Sequence, residues 1–336
     1  MHKTYTNEEI LEQLKSLEGL LLERVFESSY SESLRTYDLI DHLRSKAQDL
    51  GLEGRDTYIT LIRDLEKLSS TIGGLINGRR GEFLAAKSLK CLRGDNMLLS
   101  NIALPNGGSF EEYDQVLIAR SGVYVIEVKS YRNDVVIDDG GILHCGLRSY
   151  NVGERMREKM HALWDAIQFS SDGYMNEEDV HGMLLFVNDD ANVTDFFHRI
   201  PVMRCGQIVY SIEDANRYDE KLSWEDMVRI KAVLLARRTA AKFSMPLDED
   251  RVKGELEDFL DLVEVETAKD AAKPKATDHN EVDSPTTLDD HVPHLQLPSW
   301  IPAVTAVISG LAIGVGGLFL HVKKGEGAWL PEVAIK

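Results

Sequence analysis

A predicted β-hairpin between residues 111 and 129 constrains the fold of this chain more than any other stretch. Two short apolar runs flank a turn at residues 120–122, where Gly122 can supply the backbone angle that a tight turn needs. The second run, residues 123–129, carries apolar side chains on both of its alternating faces. A strand of that kind is usually central and covered on both sides. The pattern predicts an α/β fold in which helices flank a sheet.

Three charged residues lie near the open end of this hairpin. Glu127 and Lys129 share one face of the second run, because successive side chains of a strand alternate. If the loop has two residues, Asp114 lies opposite Glu127. If the loop is one residue longer, Asp114 lies opposite Val128 and points to the other face. The sequence leaves both registers open.

The residue types at this position suit metal chemistry. Hard cations such as Mg²⁺ prefer carboxylate and water oxygens. Two facing carboxylates repel each other. A cation bound between them would attract both and turn the net interaction favourable. A solvated pair of Glu127 and Lys129 at a strand end explains the same residues, so the short motif alone decides nothing.

The order of three motifs resembles the nuclease-related domain (NERD) family of the PD-(D/E)xK nuclease superfamily. The resemblance extends from about Gly78 to Glu213, which is less than half of the chain. Its motifs are Gly78-Arg79-Arg80-Gly81-Glu82 opening a helix, Glu112-Tyr113-Asp114, and Gly122-Val123-Tyr124-Val125-Ile126-Glu127-Val128-Lys129. The resemblance implies a PD-(D/E)xK-like mixed sheet flanked by helices. It also implies hydrolysis of phosphodiester bonds in nucleic acid, with DNA as the expected substrate.

The same resemblance implies an active site. Its catalytic set is Glu82, Asp114, Glu127 and Lys129. Asp114, Glu127 and the backbone carbonyl of Val128 would bind Mg²⁺ or Mn²⁺, and Glu82 is a further candidate ligand. Lys129 would orient the attacking water and stabilise the charge that develops on the phosphate.

The local context of Glu82 agrees with such a role. On a helix, Glu82 shares a stripe with Ala85, so it could face the end of the sheet. The alternative is a first-turn glutamate that the helix dipole favours. Arg79, Arg80 and Lys87 form a basic cluster near this position. Phosphate contact and ordinary solvation both remain open for these three side chains.

The net charge of −18 argues against a broad nucleic-acid-binding surface. Acidic residues outnumber basic ones in each of the segments 1–78, 79–264 and 265–336. Proteins that neutralise many phosphates are normally basic. Any contact with nucleic acid must therefore be local, mediated by metal, or supplied by a partner. The alternative function is a non-catalytic, membrane-anchored adaptor that keeps the nuclease-like fold.

Five segments follow from periodicity and composition. Residues 1–76 are a helical N-terminal region, predicted to form a small bundle on the core or a dimerisation arm, and residues 77–264 are the NERD-like core with its closing helices. Residues 265–298 are expected to be a disordered acidic linker, since Ala, Lys, Asp, Pro and Thr dominate them. Residues 299–322 are a predicted transmembrane helix, and residues 323–336 are a short tail.

Two details of the core are also predicted. A helical stripe that includes Met156 and Leu163 marks a helix, and Arg155, Arg157 and Lys159 are expected on its solvated side. Residues 199–205 and 207–212 are predicted to form one further strand or a broken pair of strands.

The uncharged run of residues 300–320 is long enough to cross a bilayer. Without a signal peptide, we expect a single-pass protein of the inner or cell membrane with its nuclease domain facing the cytoplasm. Lys323 and Lys324 favour the opposite orientation. The Gly310-x-x-x-Gly314 motif predicts self-association, so a homo-oligomer or a membrane complex is expected. Tethering would suit a role in defence against incoming DNA.

Overall fold

The computed structural model describes residues 3–168 and 175–272. The helices in this part are α1 (Asn7–Phe26), α2 (Thr36–Leu50), α3 (Asp56–Leu89), α4 (Val152–Gln168), α5 (Cys205–Tyr218), α6 (Trp224–Ala236) and α7 (Glu249–Ala272), with single 3-10 turns at Glu27–Ser29 and Glu177–Asp179. The strands are β1 (Thr4–Tyr5), β2 (Asn96–Asn106), β3 (Ser109–Ala119), β4 (Gly122–Lys129), β5 (Val135–Ile137), β6 (Ile142–Cys145), β7 (Arg148–Asn151), β8 (Val180–Phe186), β9 (Val193–Asp195), β10 (Val202–Arg204) and β11 (Phe243–Ser244).

The strand β4 is the centre of a mixed sheet with the order β10-β8-β4-β3-β2. Strands β2, β3 and β4 pair antiparallel, and β4, β8 and β10 pair parallel. Ala119 pairs with Gly122, which fixes the short register of the predicted hairpin. Gly122 has φ 139°, and a Cβ there would lie 2.5 Å from the carbonyl oxygen of Asp179. The turn therefore requires glycine.

Helices cover both faces of this sheet, as an apolar run on both faces of β4 requires. The C-terminal half of α3 and helix α5 cover one face, where Ala85, Leu89 and Ile208 pack against buried strand residues. Helices α4 and α6 cover the other face, where Leu163 and Ile230 belong to the larger core. The predicted mixed α/β fold is therefore confirmed for the described residues.

A second, smaller sheet has the order β7-β6-β5-β9. Its apolar residues, among them Val135, Ile137 and Leu143, join the core beneath α4. Strand β7 ends next to the start of α4, and its Tyr150 packs against that same core. This sheet therefore carries side chains to the end of β4.

A helical bundle of α1, α2, the first part of α3 and α7 has its own leucine-rich core. The helix α3 is 34 residues long and runs from this bundle onto the main sheet, so the predicted boundary after residue 76 falls inside a helix. The helix α7, assigned to the nuclease-like core from the sequence, instead buries Leu256 and Phe259 in the bundle. Periodicity identifies the apolar face of a helix but not the partner that covers it.

Two other predictions differ from the structure. Residues 207–212 lie in α5 and not in a strand, because Ile208 and Ile212 are buried at helical spacing while Tyr210 is exposed. Residues 265–272, assigned to the linker, continue α7 to Ala272. Among residues 3–168 and 175–272, no helix is long and apolar enough to span a membrane. The rest of the predicted linker, the span 299–322 and the tail lie outside the described residues.

Candidate active site

The predicted residues of the site meet around the C-terminal end of β4. Glu127 and Lys129 lie on β4, Asp114 lies on the neighbouring strand β3, and Glu82 comes from α3. The charge of Glu127 affects both Asp114 and Glu82, so the three carboxylates share one electrostatic environment. The sheet and α3 thus bring together residues that are far apart in the sequence.

Glu127 forms ion pairs with two lysines at once. Its Oε1 accepts a hydrogen bond from Nζ of Lys129 at 2.8 Å, and its Oε2 accepts one from Nζ of Lys159 at 2.5 Å. Burial alone would raise the pKa of Glu127, but the two ammonium groups outweigh that effect and hold the pKa well below its usual range. Glu127 is therefore ionised and fully paired.

Asp114 is in the opposite situation. Its Oδ2 accepts a hydrogen bond from the backbone N–H of Val128 at 2.7 Å. Burial, reinforced by repulsion from Glu127, raises the pKa of Asp114 to about 7. The carboxylate thus lacks a full counter-charge, and a cation would stabilise it. The predicted role of the Val128 carbonyl stays a prediction.

Glu82 lies in the middle of α3 and not at the start of a helix, so the dipole explanation for it does not apply. Gly81, the residue before it, packs where a Cβ would lie 3.1 Å from Cβ of Ser130. This close approach brings α3 to the end of β4. Burial raises the pKa of Glu82, while a hydrogen bond with the Asn101 side chain opposes that shift.

Asn101 is a site residue that the sequence analysis missed. It lies within β2 and has φ 50°, in the left-handed region. The pairing of β2 with β3 continues on both sides of it, at Ser100 with Gln115 and at Ile102 with Tyr113. Asparagine tolerates this conformation better than most residues. The adjacent polar residues Ser100 and Asn101, which interrupt the apolar run of β2, were the available signal.

Lys159 is the second missed residue, and its predicted exposure is wrong. Only 6% of Lys159 is exposed, and its Nζ lies between Glu127 and Glu111. Met156, Lys159 and Leu163 follow one another at spacings of three and four residues, so the lysine belongs to the buried stripe of α4. The spacing alone indicates a buried position, whereas the charge of a lysine usually indicates solvation.

Glu111 and Arg155 extend the network. Glu111 is buried and accepts a hydrogen bond from the Arg155 guanidinium at 2.6 Å. Burial raises the pKa of Glu111, and Arg155 and Lys159 oppose that shift. Arg155, expected to be solvated, is half exposed and ion-paired instead. A buried acid needs such a partner.

Lys129 is held by more than its carboxylate. Its Nζ lies 5.2 Å from the ring centroid of Tyr150, and the Tyr131 hydroxyl donates a hydrogen bond to the Tyr150 hydroxyl at 3.0 Å. Burial would lower the pKa of Lys129, but Glu127 outweighs burial and raises it. The ion pair therefore favours the protonated form of Lys129, which can donate hydrogen bonds.

Oxygen donors at this site match a hard divalent cation in type. Within residues 3–168 and 175–272, however, no three His, Cys, Asp or Glu side chains converge as a metal site. Both oxygens of Glu127 face ammonium groups. Asp114 carries the uncompensated charge. An ion could bind there if Glu127 exchanged one lysine for it.

The three predicted phosphate contacts, Arg79, Arg80 and Lys87, are all exposed on α3. Phe83, between them, has 68% of its surface exposed. A cleft of about 380 Å³ beside this helix is lined by residues that include Arg79, Glu82, Asn101, Glu112 and Arg238. Arg79 therefore lies beside Glu82 in this cleft, and it also pairs with Glu8 at 3.4 Å. Phosphate contact by the three basic residues stays a prediction.

Comparison with known proteins supports the resemblance seen in the sequence. A family model described as the nuclease-related domain (NERD) matches residues 77–187, about a third of the chain. This range contains Glu82, Asp114, Glu127, Lys129 and Lys159. The search of curated proteins found no match, and neither did the search of solved structures.

We expect Asp114→Asn to stabilise the protein more at pH 8 than at pH 5. Because the folded-state pKa of Asp114 is above its ordinary value, the folded state keeps a proton that the unfolded state releases, and this stabilisation is lost as the pH rises toward about 7. Asn removes the charge and can still accept from Val128. Urea unfolding with a chelator should show a gain that is larger at pH 8 by roughly 1–3 kcal/mol.

The control for this measurement is Asp49→Asn, which changes an exposed aspartate on α2. Its effect should be nearly the same at both pH values. A pH-independent effect of Asp114→Asn would contradict the assigned environment of Asp114.

Proposed function

With residues 77–187 as a nuclease-related domain, we propose that this chain is a metal-dependent nuclease that hydrolyses phosphodiester bonds in nucleic acid, with DNA as its substrate class. One observation supports the proposal above all. The matched range contains Glu82, Asp114, Glu127 and Lys129, and the fold assembles these four side chains around one end of a covered sheet. Because Glu82 comes from a helix and the other three residues come from two strands, their meeting at one place supports a shared site.

Each residue has a definite part in the proposed reaction. Asp114, Glu127, the carbonyl of Val128 and Glu82 would hold Mg²⁺ or Mn²⁺, which supplies Lewis acidity and lowers the pKa of a bound water. Lys129 would donate hydrogen bonds to the phosphate and stabilise its developing charge. Tyr150 restricts where the ammonium group can lie.

Binding of nucleic acid would be local, as the net charge of −18 demands. The exposed face of α3 offers Arg80 and Lys87 for phosphates and Phe83 for stacking against a base. These three residues lie on the exposed side of the helix that also carries Glu82.

We expect Lys129→Ala to reduce Mg²⁺-dependent cleavage of a DNA substrate by at least about a hundredfold, because a buried donor to the reacting phosphate is lost. Asp114→Asn and Glu127→Gln should reduce cleavage similarly and should abolish ion binding in calorimetric titration with Mn²⁺. The exposed Lys46→Ala variant is the control. Cleavage by Lys129→Ala at the wild-type rate would refute the mechanism.

A second candidate function is a non-catalytic adaptor that keeps the nuclease-like fold. The observation in its favour is the double ion pair of Glu127, which satisfies that carboxylate without any metal ion. The overall acidity of the chain points the same way. Calorimetry separates the two candidates, since an adaptor would show no Mn²⁺ binding that depends on Asp114 and Glu127.

We predict that Arg80→Ala, Phe83→Ala and Lys87→Ala each weaken DNA binding. Loss of either basic residue should also reduce the slope of log K against log salt concentration by about one, which corresponds to one phosphate contact. Loss of Phe83 should leave this slope unchanged. Fluorescence anisotropy in the Lys129→Ala background avoids cleavage. Lys67→Ala, exposed on the bundle part of the same helix, is the matched control. Equal affinities for all variants would remove α3 from the interface.

We also propose that residues 299–322 tether the protein to the inner or cell membrane, with the nuclease-related domain on the cytoplasmic side. The support is the uncharged run of residues 300–320. Such a tether would place a nuclease where foreign DNA enters, and the Gly310-x-x-x-Gly314 motif would favour self-association.

The tether is tested by fractionation. The full chain should stay with membranes after alkaline extraction, and a variant that lacks residues 299–322 should be released, because about 20 apolar residues anchor a chain firmly. Recovery of both proteins in the same fraction would contradict the tether.

A further inference from the structure

Five side chains of alternating charge form a line through the interior of the site. Arg155 pairs with Glu111 at 2.6 Å, and Lys159 lies between Glu111 at 4.0 Å and Glu127 at 2.5 Å. Lys129 completes the line on the other oxygen of Glu127 at 2.8 Å. The ammonium group of Lys159 is therefore shared by the buried carboxylate of Glu111 and the partly buried carboxylate of Glu127.

The position of Lys159 is fixed by its surroundings. Its backbone carbonyl accepts a hydrogen bond from the Tyr113 hydroxyl at 3.1 Å, and its Nζ lies 5.9 Å from the centroid of the Tyr113 ring. The neighbouring stripe residues Met156 and Leu163 are buried in the main core. Only 6% of the residue is exposed, so this packing restricts where the side chain can lie.

A cation in this place is what the two carboxylates require. Arg155 and Lys129 each pair with one of these carboxylates from the outer side, so Lys159 is the cation between them. Without it the two carboxylates would face each other, and like charges in a poorly solvated site repel strongly. Nuclease sites with two metal ions meet the same requirement with a second ion about 3.5–4 Å from the first. Here an amino group of the chain itself lies within 4.0 Å of both carboxylates.

We propose that Lys159 is a built-in second cation, which occupies the place between Glu111 and Glu127 that a second metal ion would otherwise take. The ion of the proposed function then binds on the side of Asp114, and the site holds one divalent ion at most. The inference rests on the proposed function for that first ion. It concerns the second position alone.

The test is the stoichiometry of Mn²⁺ binding to the full chain, measured by calorimetry. Lys159→Met should bind one more ion per chain than the wild type, because two carboxylates lose their shared counter-charge. Lys159→Gln, which keeps a hydrogen-bonding group, should gain the same ion and serves if the methionine variant does not fold. Lys159→Arg keeps the charge and should match the wild type.

A second substitution locates the gained ion. Glu111→Gln should leave the stoichiometry of the wild type unchanged and should remove the additional ion from Lys159→Met and Lys159→Gln. Folded Lys159→Met or Lys159→Gln with wild-type stoichiometry, or with no binding at all, would overturn the inference. Absence of binding to the wild type together with one ion in Lys159→Gln would uphold it, while removing the metal-dependent function proposed above.

Discussion

The burial of Glu127 at the end of a central strand is the constraint on which the rest of the site depends. An ionised carboxylate in such a place is costly unless opposite charges and hydrogen bonds compensate it. Lys129 comes from the same strand and would satisfy one oxygen in any packing. The second oxygen is paired with Lys159, which comes from a different element, the helix α4. The position of α4 is therefore set by charge as well as by its apolar stripe.

The helix α3 connects this site to the rest of the chain. It begins in the helical bundle and ends on the main sheet, so one rigid element belongs to both cores. Gly81 allows it to approach Ser130 at the end of β4, and Glu82 follows directly. The bundle therefore helps to hold a site residue in place, although residues 77–187 alone match the nuclease-related domain.

The hairpin could be predicted from the sequence because local rules determine it. Alternating apolar faces mark β4 as central, and Gly122 marks the turn. The register of Asp114 could not be predicted, because it depended on one residue of loop length. The partner of α7 could not be predicted either, since its apolar stripe fits the sheet and the bundle equally well. Both depend on contacts between distant parts of the chain.

The predicted exposure of Lys159 was wrong for a different reason. Its spacing from Met156 and Leu163 placed it on the buried stripe, yet a charged side chain was assumed to be solvated. That assumption holds for most lysines because burial of an unpaired charge is costly. The assumption does not hold where a carboxylate on a neighbouring strand can pair with the lysine, as Glu127 does. A lysine on an apolar stripe is therefore evidence for a buried acid elsewhere.

The balance of charge within the site also bears on the acidity of the whole chain. Lys129, Lys159 and Arg155 are committed to Glu127 and Glu111, so their positive charge is not free to attract phosphate from a distance. Asp114, Glu82 and Glu112 add negative charge nearby, and burial raises the pKa of each. A phosphate would meet a repulsive field here unless a divalent ion entered first. Under the proposed function, the ion would therefore bind before the nucleic acid.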